Sequence, residues 1–185
     1  MNLAYESFHK QAEINKQAYT IFRFASKCNT VAALIKDDRS IVTFLAAQNK
    51  KIDICPYESN ISIEKFDSIS KEVGSKLTLY KDYSSFQISN IDLLYIDTFA
   101  DGNLKAMELT KFGVDINKYI IITNTVKYAH SPEQGMNWPK DKQLGVIFGI
   151  NHFITNNVDW FILEHDDLDP GITVLVNRKN VNDAY

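Results

Sequence analysis

Hydrophobic and polar positions follow two alternating periods along the chain, which predicts helices interleaved with strands. Residues 3 to 16 are predicted to form an amphipathic first helix, because apolar residues recur there every three or four positions. The alternating aromatic and β-branched residues from Tyr19 to Ala25 predict a first strand. Residues 30 to 36 favour the start of a helix, and residues 40 to 48 fit a strand at their beginning and a helix at their end.

From Lys51 onward the pattern is more regular. Short apolar runs predict strands at residues 51–55, 76–80, 91–96, 118–123, 160–164 and 172–176. Amphipathic stretches predict helices between them, at residues 62–73, 103–112 and 144–154. Gly74 and Gly113 follow two of these helices as C-terminal stops. Residues 125 to 142 hold two prolines and a glycine, which predicts a long loop of the kind that often carries function.

Strands and helices in alternation indicate an α/β fold, with a mostly parallel sheet and helices on both faces. The last two strands are an exception. Asp169-Pro170-Gly171 is a strong turn signal, and the connection is too short for a parallel crossover, so these strands are predicted to form an antiparallel hairpin. The chain has 185 residues, 45% of them hydrophobic, which suits one domain spanning residues 1 to 185.

Composition and charge limit the classes of partner that the protein is expected to bind. Lys and Arg total 20 against 23 Asp and Glu, so no nucleic-acid partner is expected. Cys28 and Cys55 are too few for a disulfide framework and are not at zinc spacing, which favours a reducing, cytoplasmic setting. No signal peptide is recognised, and no apolar run approaches the roughly 20 residues that cross a bilayer, so no membrane partner is expected. A homodimer through the first helix is one arrangement that the sequence allows.

Acidic residues stand at the ends of several predicted strands, where open parallel sheets bind ligands. Asp53, in the second strand segment, is predicted to accept hydrogen bonds from the two vicinal hydroxyls of a ribose. Asp82, after the third, suits the amino group of an adenine. Asp97 and Asp101 follow the fourth strand. The competing interpretation is structural, because acids at strand ends commonly cap helices, and Asp97 is placed to cap the helix of residues 103–112.

Three stretches carry a family resemblance: residues 91–98 (IDLLYIDT), 118–125 (KYIIITNT) and 160–175 (WFILEHDDLDPGITVL). They resemble the fourth strand, the fifth strand and the closing hairpin of class I S-adenosylmethionine-dependent methyltransferases. The similarity is greatest to the branch that includes cephalosporin-hydroxylase-like and sugar O-methyltransferase-like proteins. It covers roughly residues 75 to 179, whereas residues 18 to 74 match only in layout.

The resemblance implies a Rossmann-like fold and an enzyme that transfers a methyl group from S-adenosylmethionine to a small hydroxyl-bearing acceptor, such as a sugar or a natural-product intermediate. The cofactor-binding residues that it implies are Ala25, Ser26, Asn29, Asp53, Asp82 and Asp97. Asp97 or Asp101 would align the acceptor or remove its proton. His130, in the long loop, is a further candidate base.

The chain departs from the family at two places. The family's loop after the first strand is rich in glycine, which lets backbone approach the cofactor, whereas residues 22 to 30 contain none. The fifth strand of the family usually ends in His-Asp, which is Thr123-Asn124 here, so no tight metal site is expected. Two further hypotheses follow: a methyltransferase fold without catalysis that serves as a binding or assembly module, and a nucleotide-sugar binder that does not methylate.

Overall fold

The structure is a computed structural model that describes residues 6–10, 17–57, 61–133 and 143–179. The strands are β1 (Thr30–Ile35), β2 (Lys51–Pro56), β3 (Lys76–Leu79), β4 (Ile91–Asp97), β5 (Ile116–Thr123), β6 (Trp160–Asp166) and β7 (Ile172–Asn177). The helices are α1 (Gln17–Ser26), α2 (Arg39–Ala46), α3 (Asp67–Glu72), α4 (Gly102–Phe112) and α5 (Val146–Asn156). Short 3₁₀ turns occur at Glu64–Phe66 and Gly113–Asp115. Within the described ranges, no helix has the length and apolar character needed to cross a membrane.

The seven strands form one mixed sheet in the order β3-β2-β1-β4-β5-β7-β6. Strand β2 pairs in parallel with both β1 and β3. Strand β7 pairs antiparallel with both β5 and β6. The C-terminal hairpin of β6 and β7 therefore places β7 between β5 and β6, with β6 at the edge of the sheet. The predicted α/β fold with a mostly parallel sheet and a C-terminal antiparallel hairpin is therefore confirmed.

The chain divides into two compact units, Met1–Tyr95 and Ile96–Tyr185. In the first unit, residues Val31 to Ile35 of β1 have no exposed surface, and Phe44 of α2 packs edge-on against Tyr95 with their ring centroids 5.3 Å apart. In the second unit, α4 and α5 approach closely at Gly149, where a Cβ atom would lie 2.6 Å from Cβ of Lys105. The prediction of a single domain stays a prediction.

The first predicted strand, Tyr19 to Ala25, is wrong, because these residues belong to helix α1. The buried residues of α1 recur at helical spacing: Gln17, Ala18, Ile21, Phe24 and Ala25. The predicted start of a helix at residues 30 to 36 is also wrong, because this segment is strand β1. Its continuous apolar run is typical of a parallel strand covered on both faces.

The other elements agree with the sequence pattern. The ambiguous residues 40 to 48 lie mostly in helix α2, and the predicted strands and helices from Lys51 onward are all present within a few residues. Gly74 follows α3 with φ +67°, the left-handed conformation that ends helices and suits glycine. Of the predicted first helix, residues 6–10 are helical, and the rest of residues 3 to 16 lies outside the described residues. The homodimer predicted through this helix stays a prediction.

Candidate active site

Asp97 is the centre of a hydrogen-bonded group at the ends of β4 and β5 in the second unit. The hydroxyl of Thr123 donates to Oδ1 of Asp97 over 2.7 Å. The side-chain amide of Asn124 donates to the same oxygen over 3.3 Å and to Oγ1 of Thr123 over 3.0 Å. In the described part of the chain no hydrogen bond reaches Oδ2 of Asp97, and the side chain is half-buried. One oxygen of a held carboxylate is therefore available to a ligand.

The backbone of Asn124 explains how consecutive residues both reach Asp97. Asn124 has φ +62°, a left-handed conformation that asparagine tolerates better than most residues. In an extended strand, the side chains of Thr123 and Asn124 would point to opposite faces, and the turn at Asn124 removes that constraint. These two residues replace the His-Asp pair of the resembled family and act here as donors to Asp97.

Asp101 is the N-cap of helix α4. Its Oδ1 accepts a hydrogen bond from the backbone N–H of Leu104 over 2.8 Å, and its backbone is extended. The interpretation that Asp97 caps this helix is therefore wrong. The Asp101 carboxylate has no exposed surface, and its Oδ2 is buried without a partner. Asp101 therefore has a structural role as the cap, and its catalytic role stays a prediction.

A buried polar cluster of Thr98, Lys105 and Glu108 lies directly after Asp97. Lys105 is 1% exposed and forms an ion pair with Glu108 at 3.1 Å, and Glu108 has no exposed surface. The hydroxyl of Thr98 donates to Oε1 of Glu108 over 2.8 Å. Sequence reasoning missed this cluster, although the i,i+3 spacing of a lysine and a glutamate on one helix was a signal for the pair.

The described part of the long loop, residues 124–133, lies against the turn that follows Asp97. The N–H of Glu133 donates to the carbonyl of Ala100 over 2.8 Å, and the N–H of Ala100 donates to Oε2 of Glu133 over 3.3 Å. His130 is exposed on this loop. Residues 134–142 of the predicted loop lie outside the described residues. The role of His130 as a base stays a prediction.

Ala25, Ser26 and Asn29 do not follow the first strand as predicted, so their predicted role in cofactor binding loses that support. Ala25 is buried within α1, and Ser26 ends α1 with its hydroxyl donating to the carbonyl of Phe22. Asn29 precedes β1, where its N–H donates to Oδ2 of Asp92 over 2.8 Å. All three stand at the amino end of β1, whereas ligands of such sheets bind at the carboxyl ends.

The loop that does follow β1, Lys36-Asp37-Asp38, carries charges and no glycine, and Arg39 begins α2 directly after it. Asp37 accepts from Nη2 of Arg39 over 2.5 Å, and Asp38 forms an ion pair with Lys65. Burial raises the pKa of Asp37, but the hydrogen bonds and the charge of Arg39 outweigh it, so the pKa lies below its ordinary value. The loop that follows the observed β1 therefore contains no glycine, as was found for residues 22 to 30, which span the end of the predicted first strand and the loop after it.

Asp53 lies within β2 and not at its end. It pairs in register with Ala32 of β1, and β2 continues for three more residues to Pro56. The carboxylate is buried, and its Oδ2 is 3.0 Å from Nζ of Lys51, the first residue of the strand. Its Oδ1 is buried without a hydrogen-bond partner. The expectation that Asp53 ends the second strand is wrong, and its predicted contact with a ribose loses that support.

Asp82 follows β3, as predicted, and organises a turn. Its Oδ1 accepts from the N–H and hydroxyl of Ser84, over 3.0 and 2.6 Å, and from the N–H of Ser85 over 2.9 Å. These hydrogen bonds lower the pKa of Asp82 from 3.8 to about 2, and the bond from the Ser84 side chain contributes most.

An aromatic pair follows β2 and β3, where Tyr83 lies against Tyr57 with ring centroids 5.9 Å apart. Sequence reasoning missed this pair.

Metal ligands are not grouped in the part of the chain that the structure describes, where no three His, Cys, Asp or Glu side chains come together to hold an ion. Cys28 and Cys55 are both buried, and no disulfide joins them. Asp97 offers a carboxylate oxygen that can accept a hydrogen bond or take a proton.

Solved methyltransferase structures share this fold. The O-methyltransferase from Bacillus cereus in complex with S-adenosylhomocysteine superposes with a TM-score of 0.63 at 11% identity, covering 94% of this chain and 90% of that one. TomG from Streptomyces achromogenes, involved in tomaymycin synthesis and crystallised with S-adenosylmethionine, gives 0.59 at 11% identity, covering 93% and 89%. Magnesium protoporphyrin IX methyltransferase from Synechocystis, also with bound S-adenosylmethionine, gives 0.59 at 10% identity, covering 96% and 85%.

At these identities the likeness shows the fold alone. The fold implied by the resemblance to class I methyltransferases is confirmed. No protein-family model and no curated protein matches the chain.

Proposed function

We propose that the protein is an S-adenosylmethionine-dependent methyltransferase that acts on a small hydroxyl-bearing acceptor, such as a sugar or a natural-product intermediate. The observation that carries the proposal is the state of Asp97. Its carboxylate ends β4, one oxygen is held by Thr123 and Asn124, and the other receives no hydrogen bond from the described residues. The fold is one that O-methyltransferases crystallised with this cofactor or its product share.

The acidic residues suit the chemistry of the cofactor, which supplies an electrophilic methyl group on a positively charged sulfur when bound. Its adenine amino group and ribose hydroxyls are donors and need acceptors. Asp82 would accept from the adenine amino group, because its carboxylate stays ionised far below neutral pH and its hydrogen bonds all end on one oxygen. The loop after β1 would offer charged side chains to the amino-acid end, where the resembled family offers glycine backbone.

Asp97 would orient the acceptor and take its proton. A hydroxyl that donates to Oδ2 of Asp97 would be held for attack, and it would release its proton to that oxygen as the oxygen–carbon bond forms and the bond from the methyl carbon to sulfur breaks, leaving a neutral thioether. The donors on Oδ1 keep the carboxylate from turning. His130 is a second candidate for the base, from the loop that lies against Ala100.

The proposal is tested in two steps. Calorimetry with S-adenosylhomocysteine measures binding, and labelled S-adenosylmethionine with a panel of sugars and phenols measures transfer. We expect binding below millimolar concentration, and we expect Asp97→Asn to lower transfer by about 10²- to 10⁴-fold, the usual contribution of a positioned base. Asp115→Asn, an exposed acid in the same unit, is the matched control.

Absence of heat at millimolar ligand would refute the proposal. Binding without transfer to any acceptor would favour the non-catalytic binding module, and a thermal shift produced by nucleotide sugars alone would favour the nucleotide-sugar binder.

A further inference from the structure

Lys105 makes three directed contacts from inside the second unit. Its ammonium donates to the carbonyl of Phe99 over 2.7 Å and to Oε2 of Glu108 over 3.1 Å, and it also contacts the hydroxyl oxygen of Thr98. An ammonium has three protons, so each of them has an acceptor. Thr98 and Phe99 are the two residues that directly follow Asp97.

The stability of the fold does not by itself explain why a lysine and a glutamate are buried here as an ion pair. A buried ion pair must overcome the cost of removing two charges from water, and apolar side chains of similar volume often stabilise a core equally well. Lys105 is 1% exposed and Glu108 has no exposed surface, so both charges bear that cost. A lysine ammonium does what an apolar side chain cannot, because it fixes a backbone carbonyl and a hydroxyl at defined distances.

We propose that Lys105 is a positioning residue for Asp97. The carboxylate of Asp97 is held on its Oδ1 by Thr123 and Asn124, and the backbone that leaves Asp97 is held by Lys105. The Asp97 side chain therefore has a fixed direction only while Thr98 and Phe99 stay in place. The catalytic consequence rests on the proposed function, whereas the structural consequence does not.

The test separates positioning from stability through three variants. Lys105→Met removes the cation from the buried ion pair with Glu108, which leaves an uncompensated buried charge and lowers the urea midpoint. The double variant Lys105→Met with Glu108→Leu removes both charges and returns the midpoint to near the wild-type value. Lys111→Met, at an exposed lysine on the same helix, is the matched control: it removes a positive charge from α4 and leaves the NMR readouts of Asp97 described below unchanged.

Two measurements in the folded double variant read the position of Asp97. The side-chain amide resonance of Asn124, which donates to Asp97, shifts in the NMR spectrum. The amide protons of Thr98 and Phe99 exchange with solvent at least about tenfold faster, because the backbone there loses the hydrogen bond from Lys105 to the Phe99 carbonyl and opens more readily. In methyl transfer, kcat falls by about tenfold or more while the affinity for S-adenosylhomocysteine changes by less than about twofold.

A double variant with a wild-type midpoint, an unshifted Asn124 signal and unchanged exchange rates would overturn the inference, whatever the methyl-transfer result. If the wild-type chain neither binds the cofactor nor transfers methyl groups, the proposed function fails, and the NMR signals still decide whether Lys105 positions Asp97. If the double variant does not fold, Thr98→Val gives the same readouts, since it removes the hydroxyl that contacts both Lys105 and Glu108 and keeps both charges. Unchanged signals in that variant would also overturn the inference.

Discussion

The hydroxyl of Thr123 donates to Oδ1 of Asp97 over 2.7 Å, so the last residue of β5 holds the carboxylate of the last residue of β4. A hydrogen bond to a charged group contributes about 1.5–3 kcal/mol, more than one between neutral groups. Asn124 adds a second donor to the same oxygen. The direction of the Asp97 carboxylate is therefore determined by residues outside its own strand.

Replacing Thr123 by valine is expected to lower methyl transfer without unfolding the chain. Valine has nearly the same shape but cannot donate, so Asp97 keeps its place and loses its closest donor. The rate should fall by about 10- to 100-fold, which corresponds to the strength of a hydrogen bond to a charged acceptor. Single-turnover rates with saturating cofactor measure this. Thr110→Val, at an exposed position of α4, is the control, and equal rates in both variants would contradict the prediction.

Asp82 is expected to titrate near pH 2. Its folded pKa, about 2, lies below the ordinary value of 3.8, so its contribution to stability is fully present above about pH 4 and is lost as the pH falls through 2. Carbon-13 NMR of the carboxyl group measures the midpoint directly. Ser84→Ala removes the foremost cause of the shift and should raise the midpoint towards 3.8, whereas Ser62→Ala, an exposed serine, should not. A wild-type midpoint near 3.8 would contradict this.

Most of the fold was predictable because its strands and helices differ in period. The strand Ile91–Asp97 is a nearly continuous apolar run interrupted by Asp92, and the Asp169-Pro170-Gly171 turn determines the antiparallel hairpin. The segment before Lys51 was not predictable in this way. Alternating aromatic and β-branched residues in α1 resemble a strand, but their burial follows helical spacing, which only packing reveals. Because of that error, the first strand and the loop after it were predicted at residues that come before β1.

The sequence was enough to predict which acidic residue lies in the candidate site, but it was not enough to predict the hydrogen bonds that this residue makes. A strand that ends in an acid pointed to Asp97, and the same reasoning failed for Asp53, which lies inside both the predicted strand of residues 51–55 and the observed β2. The donors Thr123 and Asn124 could not be assigned to Asp97 from sequence, since they are 26 and 27 residues away along the chain. Long-range hydrogen bonds depend on tertiary structure, which local patterns do not encode.

Asp101 is expected to matter for stability and not for catalysis. Asp101→Ala removes the cap of α4 and should lower the free energy of unfolding by about 0.5–2 kcal/mol. Asp101→Asn keeps an acceptor for the N–H of Leu104 and should lose much less. Urea unfolding of both variants, with methyl transfer measured in the asparagine variant, distinguishes cap from catalyst. A stable but inactive Asp101→Asn protein would restore the catalytic role.

Gly145 is expected to be intolerant of even a methyl group. A Cβ atom there would lie 2.3 Å from the carbonyl oxygen of Ala129 and 2.5 Å from the carbonyl carbon of His130, and both neighbours are backbone atoms. Since backbone cannot rotate aside, Gly145→Ala must separate the start of α5 from the loop that carries His130. Overpacking of this kind typically costs about 1–3 kcal/mol.

Gly113→Ala is the matched comparison for Gly145→Ala. Its added Cβ would meet only side-chain atoms, those of Phe153 at 3.1 Å and of Ile120 at 3.2 Å, and these can yield by a few tenths of an ångström. The urea midpoint should therefore fall more for Gly145→Ala than for Gly113→Ala. Because the strain at Gly145 acts on the backbone of His130, Gly145→Ala should also lower methyl transfer if His130 is the base. Equal midpoints for the two variants would show that the loop does not approach α5 as closely as the structure describes.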